Sequence, residues 1–170
     1  ICNAEEPMCM AGVFGGHDSG VTEQTTSIFI ESAYFNPVTI RKTARRHGLN
    51  TDASFRYERG IDPNNTIYVL KYVALLIQEL AGGEISSEII DLYPAPMADF
   101  KVNVTLDKIH TLIGKAIPEE TIETIFKGLE MRVLAKANGA YELSIPPYRV
   151  DVQRDVDVIE EIMRIYGYNH

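Results

Sequence analysis

Between positions 41 and 59 the chain places Arg41, Lys42, Arg45, Arg46, Arg56 and Arg59, six of its sixteen lysines and arginines, around the short core Thr51-Asp52-Ala53-Ser54, although its formal net charge is −8. A local positive patch on an acidic protein can attract phosphates. It can equally be a solvated helix face whose arginines pair with Asp52 and Glu58; Arg56 and Arg59 are expected to anchor the loop after Ser54. Upstream, Glu31 closes the run Ser27-Ile28-Phe29-Ile30, where a carboxylate at a strand end can be held in an otherwise apolar cavity. Gly15-Gly16 allows backbone to approach a ligand closely, or is simply a turn. His17, next to that pair, reads as a bystander rather than a general base.

A second constellation lies near the end of the chain. Asp157, Glu160 and Glu161 stand at i, i+3 and i+4, which puts their carboxylates on one helix face, and Asp151 precedes them on the incoming chain. Four converging carboxylates suit a hard cation such as magnesium. The competing reading is a solvated acidic first turn favoured by the helix dipole. No Ser-His-Asp set, HExxH or phosphate-binding Gly-Lys loop is present, so nothing argues for a covalent nucleophile or a metalloprotease.

Elements must position these groups. The apolar run at 7–16 and the partly alternating run at 25–35 read as strands joined by a Gly-rich loop. Asn36-Pro37 starts a helix expected over Val38–His47 that stops at Gly48. Asp62-Pro63 opens a longer helix with Ile67, Leu70, Val73, Leu76, Ile77 and Leu80 at helical spacing, ended by Gly82-Gly83. Residues 84–93 read as another strand, and the proline-marked stretch 94–100 as a linker. The second unit reads as strand, short helix, a helix with Pro118 at its start, a hairpin across Asn138-Gly139, and a last helix. These breaks predict an α+β fold of two small mixed domains, 1–93 and 101–170, the second a compact helix-and-hairpin module.

At 170 residues, 45% hydrophobic and 24% charged, the chain has the composition of a soluble globular protein, with no run long enough to cross a bilayer. Cys2 and Cys9 make neither a zinc quartet nor a disulfide framework and fit a reducing, cytoplasmic compartment. The sequence opens without Met in what reads as mid-strand, so it is expected to be a piece of a longer protein.

The segments AGVFGGHDSGV, IFIESAYFNP and ARRHGLNTDASFRYERGIDP, in that order, together with IPPYRVDVQRDVDVIEEIMRIYGYN, resemble the family of bacterial phenylalanyl-tRNA synthetase beta subunits. The resemblance covers essentially the whole chain. It implies that 1–93 is the C-terminal part of a tRNA-editing domain, incomplete without a histidine and neighbours upstream of Ile1, and that 101–170 is the small, helix-turn-helix-like domain that follows. With lysines few and scattered and an acidic balance, that small domain is expected to make subunit contacts rather than bind nucleic acid.

By the same resemblance, Glu31 matches the acid that recognises tyrosine, Thr51 and Ala53 line the editing pocket, and Gly15 and Gly16 match the glycine pair beside it. Asp151, Asp157, Glu160 and Glu161 match magnesium-binding acids at a site shared with an alpha subunit. The implied parent is an enzyme of two alpha and two beta subunits that uses ATP, not bound by this segment, to attach phenylalanine to tRNA(Phe). Editing has a physical motive, because an apolar pocket rejects an added hydroxyl by only about a hundredfold. The alternative from another class is a non-enzymatic RNA- or protein-binding module that keeps the fold.

Overall fold

Asn36 opens the first helix as its sequence dictates. Its side-chain oxygen accepts a hydrogen bond from the Thr39 amide at 3.1 Å, and Pro37, which lacks an amide hydrogen, fills the first turn. In the computed structural model, which describes residues 1–168, this helix α1 spans Pro37–His47 and ends at Gly48 in the left-handed region with φ 64°. Its inner face buries Ile40 and Ala44 against Val13, with Met10, Phe35, Leu49 and Tyr57 packed around them. Phe35 and Tyr57 meet edge to face, ring centres 5.0 Å apart.

The chain divides into two compact units, Ile1–Ala95 and the residues from Pro96 on. In the first, α1 is followed by the short helix α2, Asp52–Tyr57, and by α3, Thr66–Ala81. Helix α3 starts later than the sequence suggests. Asp62 spends its carboxylate on the amide of Asn64 in a turn, and the helix begins after Asn65. It ends at Gly82, φ 75°, and buries none of its residues.

The strands expected at 7–16, 25–35 and 84–93 are not formed. Among the described residues this unit has only two isolated bridges, Cys2 with Pro7 and Met10 with Phe14. A strand exists only where a neighbour accepts its amide hydrogens in a continuous ladder, and no such ladder forms along these runs among the described residues. Phe29, in the second of them, is 91% exposed.

The second unit is where the α+β pattern closes on itself. Strand β1, Phe100–Thr105, runs directly into α4, Leu106–Ile113, through Thr105, whose hydroxyl accepts from the Lys108 amide. Helix α5, Glu119–Gly128, leads to the hairpin of β2, Arg132–Ala137, and β3, Ala140–Ile145. Asn138 and Gly139, with φ 50° and 73°, make the tight turn between them. The antiparallel sheet has the order β1-β3-β2, with Val102 opposite Leu143, and helix α6, Asp155–Tyr166, packs with α4 and α5 on its covered face. Ile109, Ile122, Leu143, Ile145, Val158 and Ile162 are completely buried there, each side chain contributing about 1.5–3 kcal/mol of apolar burial. The outer strand β2 is exposed along its length and carries a bulge between Val133 and Ala135, features that discourage edge-to-edge pairing. Among the described residues no helix is long and apolar enough to cross a membrane.

Candidate functional site

Thr51 stands at the start of α2, and its hydroxyl does two things at once. It accepts a hydrogen bond from the Ser54 amide at 3.0 Å, while the Ser54 hydroxyl accepts from the Thr51 amide, a reciprocal cap. It also donates to the carbonyl of Val13 at 2.6 Å. The cap sets the direction of α2, and the second bond fixes that helix against the turn containing Met10 and Phe14. Between them opens a cavity of about 470 Å³.

Its walls include Gly15, Glu31, Thr51 and Ala53, four of the five pocket residues singled out in the sequence, with Met10, Val13, Phe35 and Tyr57 supplying apolar surface. Gly16 is not part of the wall. A Cβ there would lie 1.8 Å from the Met8 carbonyl oxygen, so its missing side chain serves backbone packing behind the cavity, whereas a Cβ at Gly15 would meet nothing within 4 Å. Glu31 is exposed at the cavity's edge. Its negative charge, after burial itself, helps push the Tyr57 phenol above its ordinary value. A mostly apolar chamber with the carboxylates of Glu31 and Asp52 and the phenol of Tyr57 on its wall can seat a small aromatic or aliphatic group and accept a hydrogen bond from a hydroxyl it carries.

Tyr57 was not foreseen. It closes a helix of six residues, too short to leave a periodic signature, and the only trace of that helix in the sequence is the spacing of Thr51 and Ser54. His17 faces its neighbour Asp18 at 2.7 Å with both side chains in solvent, away from the cavity wall. Of the basic cluster, Arg41 donates to the Glu58 carbonyl, and Arg59 donates to the Phe55 carbonyl and pairs with Glu58. Arg59 thus stays within its own turn. Arg56 is exposed, and its bond to the following loop is made by its backbone carbonyl, which accepts from the Arg59 amide at 3.2 Å, rather than by its side chain.

The acidic residues near the end of the chain do not converge. Asp157 accepts from the amides of Gln153 and Arg154 at 3.2 and 2.8 Å and pairs with the Arg154 side chain at 2.8 Å. Glu161 is gripped by Arg164 at 2.7 Å and Arg149 at 3.0 Å. These hydrogen bonds, from Arg154 to Asp157 and from Arg164 to Glu161 first of all, hold both carboxyls below the usual carboxylate range. Asp151 and Glu160 are exposed. No group of three or more metal-ligating side chains is arranged around a common point among the described residues.

Residues 1–82 match the B3/4 domain family and residues 102–168 the tRNA synthetase B5 domain family. The whole chain is 64% identical over 170 residues to the phenylalanine–tRNA ligase beta subunit of Bacteroides fragilis and to that of Bacteroides thetaiotaomicron. It is 52% identical over 170 residues to the beta subunit of Porphyromonas gingivalis, with 99% of the chain covered. In each case the chain spans 21% of the relative's length.

Proposed function

We propose, from the premise that this chain belongs as a segment with the phenylalanine–tRNA ligase beta subunits, that its first unit supplies one wall of a hydrolytic cavity that clears tyrosine from mischarged tRNA(Phe). The observation that carries the reading is the cavity itself. Glu31 comes to it from one run of chain, Gly15 from another, and Thr51 and Ala53 from the capped start of α2. Glu31 accepts the hydrogen bond of a tyrosine hydroxyl. Phenylalanine offers no such donor and forgoes a hydrogen bond to a charged acceptor, worth about 1.5–3 kcal/mol.

The parent enzyme, in this reading, joins phenylalanine to tRNA(Phe) with ATP in the cytoplasm, together with an alpha subunit, and synthesis takes place outside this segment. The second unit serves as a subunit-contact module. Magnesium enters only as an ion shared with the alpha subunit, for which Asp151 and Glu160 are the exposed carboxylates; Asp157 and Glu161 are engaged by arginines.

The test is deacylation of tyrosyl-tRNA(Phe) by the full beta subunit assembled with its alpha partner. Glu31→Ala is expected to slow hydrolysis by at least tenfold while phenylalanine attachment stays near its starting rate. Equal hydrolysis by both proteins removes the role given to Glu31.

A further inference from the structure

We propose that the outer face of α1 and the Phe55–Arg59 stack at the end of α2 form a docking surface for a single-stranded RNA segment, set one helix width from the cavity. The proposal rests on the tRNA-editing reading for the identity of the RNA, and on the following geometry for its place.

Helix α1 buries Ile40 and Ala44. At 100° per residue, Lys42, Arg45 and Arg46 fall on the side opposite that pair, Arg41 lies on its flank, and α1 contains no acidic residue. Lys42, Arg45 and Arg46 are exposed. Cations four residues apart repeat about every 6 Å along a helix, a step comparable with that between neighbouring phosphates of an extended strand. The chain carries a net charge of −8, so this row is a local exception to its surroundings.

Arg41 extends the row onto α2. It donates to the Glu58 carbonyl at 3.2 Å; the Glu58 side chain pairs with Arg59 at 3.1 Å; and the Arg59 guanidinium lies 3.5 Å from the centre of the half-exposed Phe55 ring. A planar cation held on an aromatic ring beside a row of phosphate-binding charges is what an unpaired base needs, because bases stack on aromatic rings and guanidinium planes. An acidic protein segment would use the charges but has no use for that stack, and this favours RNA as the occupant. The opposite side of α2 carries Ala53 and Tyr57 into the cavity wall. One short helix therefore separates the strand's resting place from the chamber that would receive its terminal group.

The experiment uses the full-length protein that carries this segment and a fluorescein-labelled single-stranded RNA of about twelve nucleotides, a length within the usual site size. Binding is followed by anisotropy across a salt series. Replacing Lys42, Arg45 and Arg46 together by glutamine is expected to weaken binding at least tenfold and to make the slope of log K against log salt shallower by about 2, at about 0.7 per lost phosphate contact. Phe55→Leu is expected to weaken binding several-fold with the slope unchanged, while Arg45→Lys with Arg46→Lys keeps the slope. If the triple variant melts early, Arg45→Gln and Arg46→Gln singly should each lower the slope by about 0.7.

Unchanged affinity and slope in the glutamine variants overturn the proposal. So does retained RNA binding combined with lost assembly of the alpha subunit, which would make this face a protein contact. RNA binding with the expected slopes but no hydrolysis of tyrosyl-tRNA would sustain the surface and remove the editing reading instead.

Discussion

The hydroxyl of Thr51 lies 2.6 Å from the carbonyl oxygen of Val13, a bond that spans thirty-eight positions of sequence and fastens the start of α2 to the turn across the cavity. The same oxygen caps α2 through the Ser54 amide, so it has no proton left to offer a ligand. Thr51 shapes the cavity wall rather than gripping what enters it.

Thr51→Val should therefore remove the cap and the cross-link together, at a cost of about 1–2 kcal/mol. Thr51→Ser should retain most of both. Urea unfolding of the two variants beside the parent measures the difference, and equal midpoints for Val and Ser would contradict the cap.

Tyr57 offers an optical check on its neighbour. Burial first, and the Glu31 charge second, raise its phenol above the ordinary value near 10. In Glu31→Gln the Tyr57 transition, followed as phenolate absorbance with Tyr57→Phe as the blank, should move down while staying above that of a free phenol. The folded protein holds this proton more tightly than the unfolded chain, so the contribution to stability is complete below pH 10 and fades as pH rises through the folded value.

In α6 the sign of a neutralising mutation follows from the arginines. Like charges at helical spacing would make Asp157→Asn with Glu160→Gln neutral or stabilising if they stood alone, but Asp157 is bonded to two amides and to Arg154. Asp157→Asn should instead cost about 1 kcal/mol as a weakened helix start, and Glu160→Gln should change little. Glu161→Gln should also destabilise, since Arg149 and Arg164 would lose their shared partner. The carboxyls of Asp157 and Glu161 are lowered on folding, so their stabilisation is present above the unfolded carboxylate range and is lost as pH falls through the lower folded values. Thermal melts from pH 7 to pH 3 should show the parent losing stability on that limb and the Glu161→Gln variant losing less.

Tyr141 tests the core of the second unit. Its ring is buried edge-on to Phe126, and its hydroxyl donates toward Glu119 at 2.6 Å and Glu123 at 3.1 Å, both of which pair with Lys136. Tyr141→Phe keeps the ring contact and should cost about 1–3 kcal/mol, because bonds to charged acceptors are the stronger kind. Calorimetry at neutral pH gives the figure. A variant as stable as the parent would mean that Lys136 alone satisfies the two carboxylates.

Elements whose ends are marked by local chemistry were legible in the sequence. Asn36-Pro37 and Gly48 bracket α1, and Asn138-Gly139 fixes the β2–β3 turn, because each acts through backbone angles and bonds within a few residues. The runs at 25–35 and 84–93 have strand composition but no strand, since pairing depends on a second segment that their own residues cannot specify. Glu31, Thr51 and Ala53 were visible only together, through resemblance. Tyr57, Met10 and Phe35 reach the same cavity from three separate places and carry no spacing that would connect them. The arginine partners of Asp157 and Glu161 were missed for another reason: counting carboxylates on a helix face ignores cations one turn away or on an adjoining loop.

Two adjacent glycines also separate mutational tolerance from design opportunity. At Gly16 a single methyl group would collide with backbone at 1.8 Å, and at Gly15 it would enter open space. A saturation library across the pair should therefore return almost nothing but glycine at the first site named and a broad alphabet at the second. Gly15 is then the place on the cavity wall where a side chain can be added without displacing a neighbour.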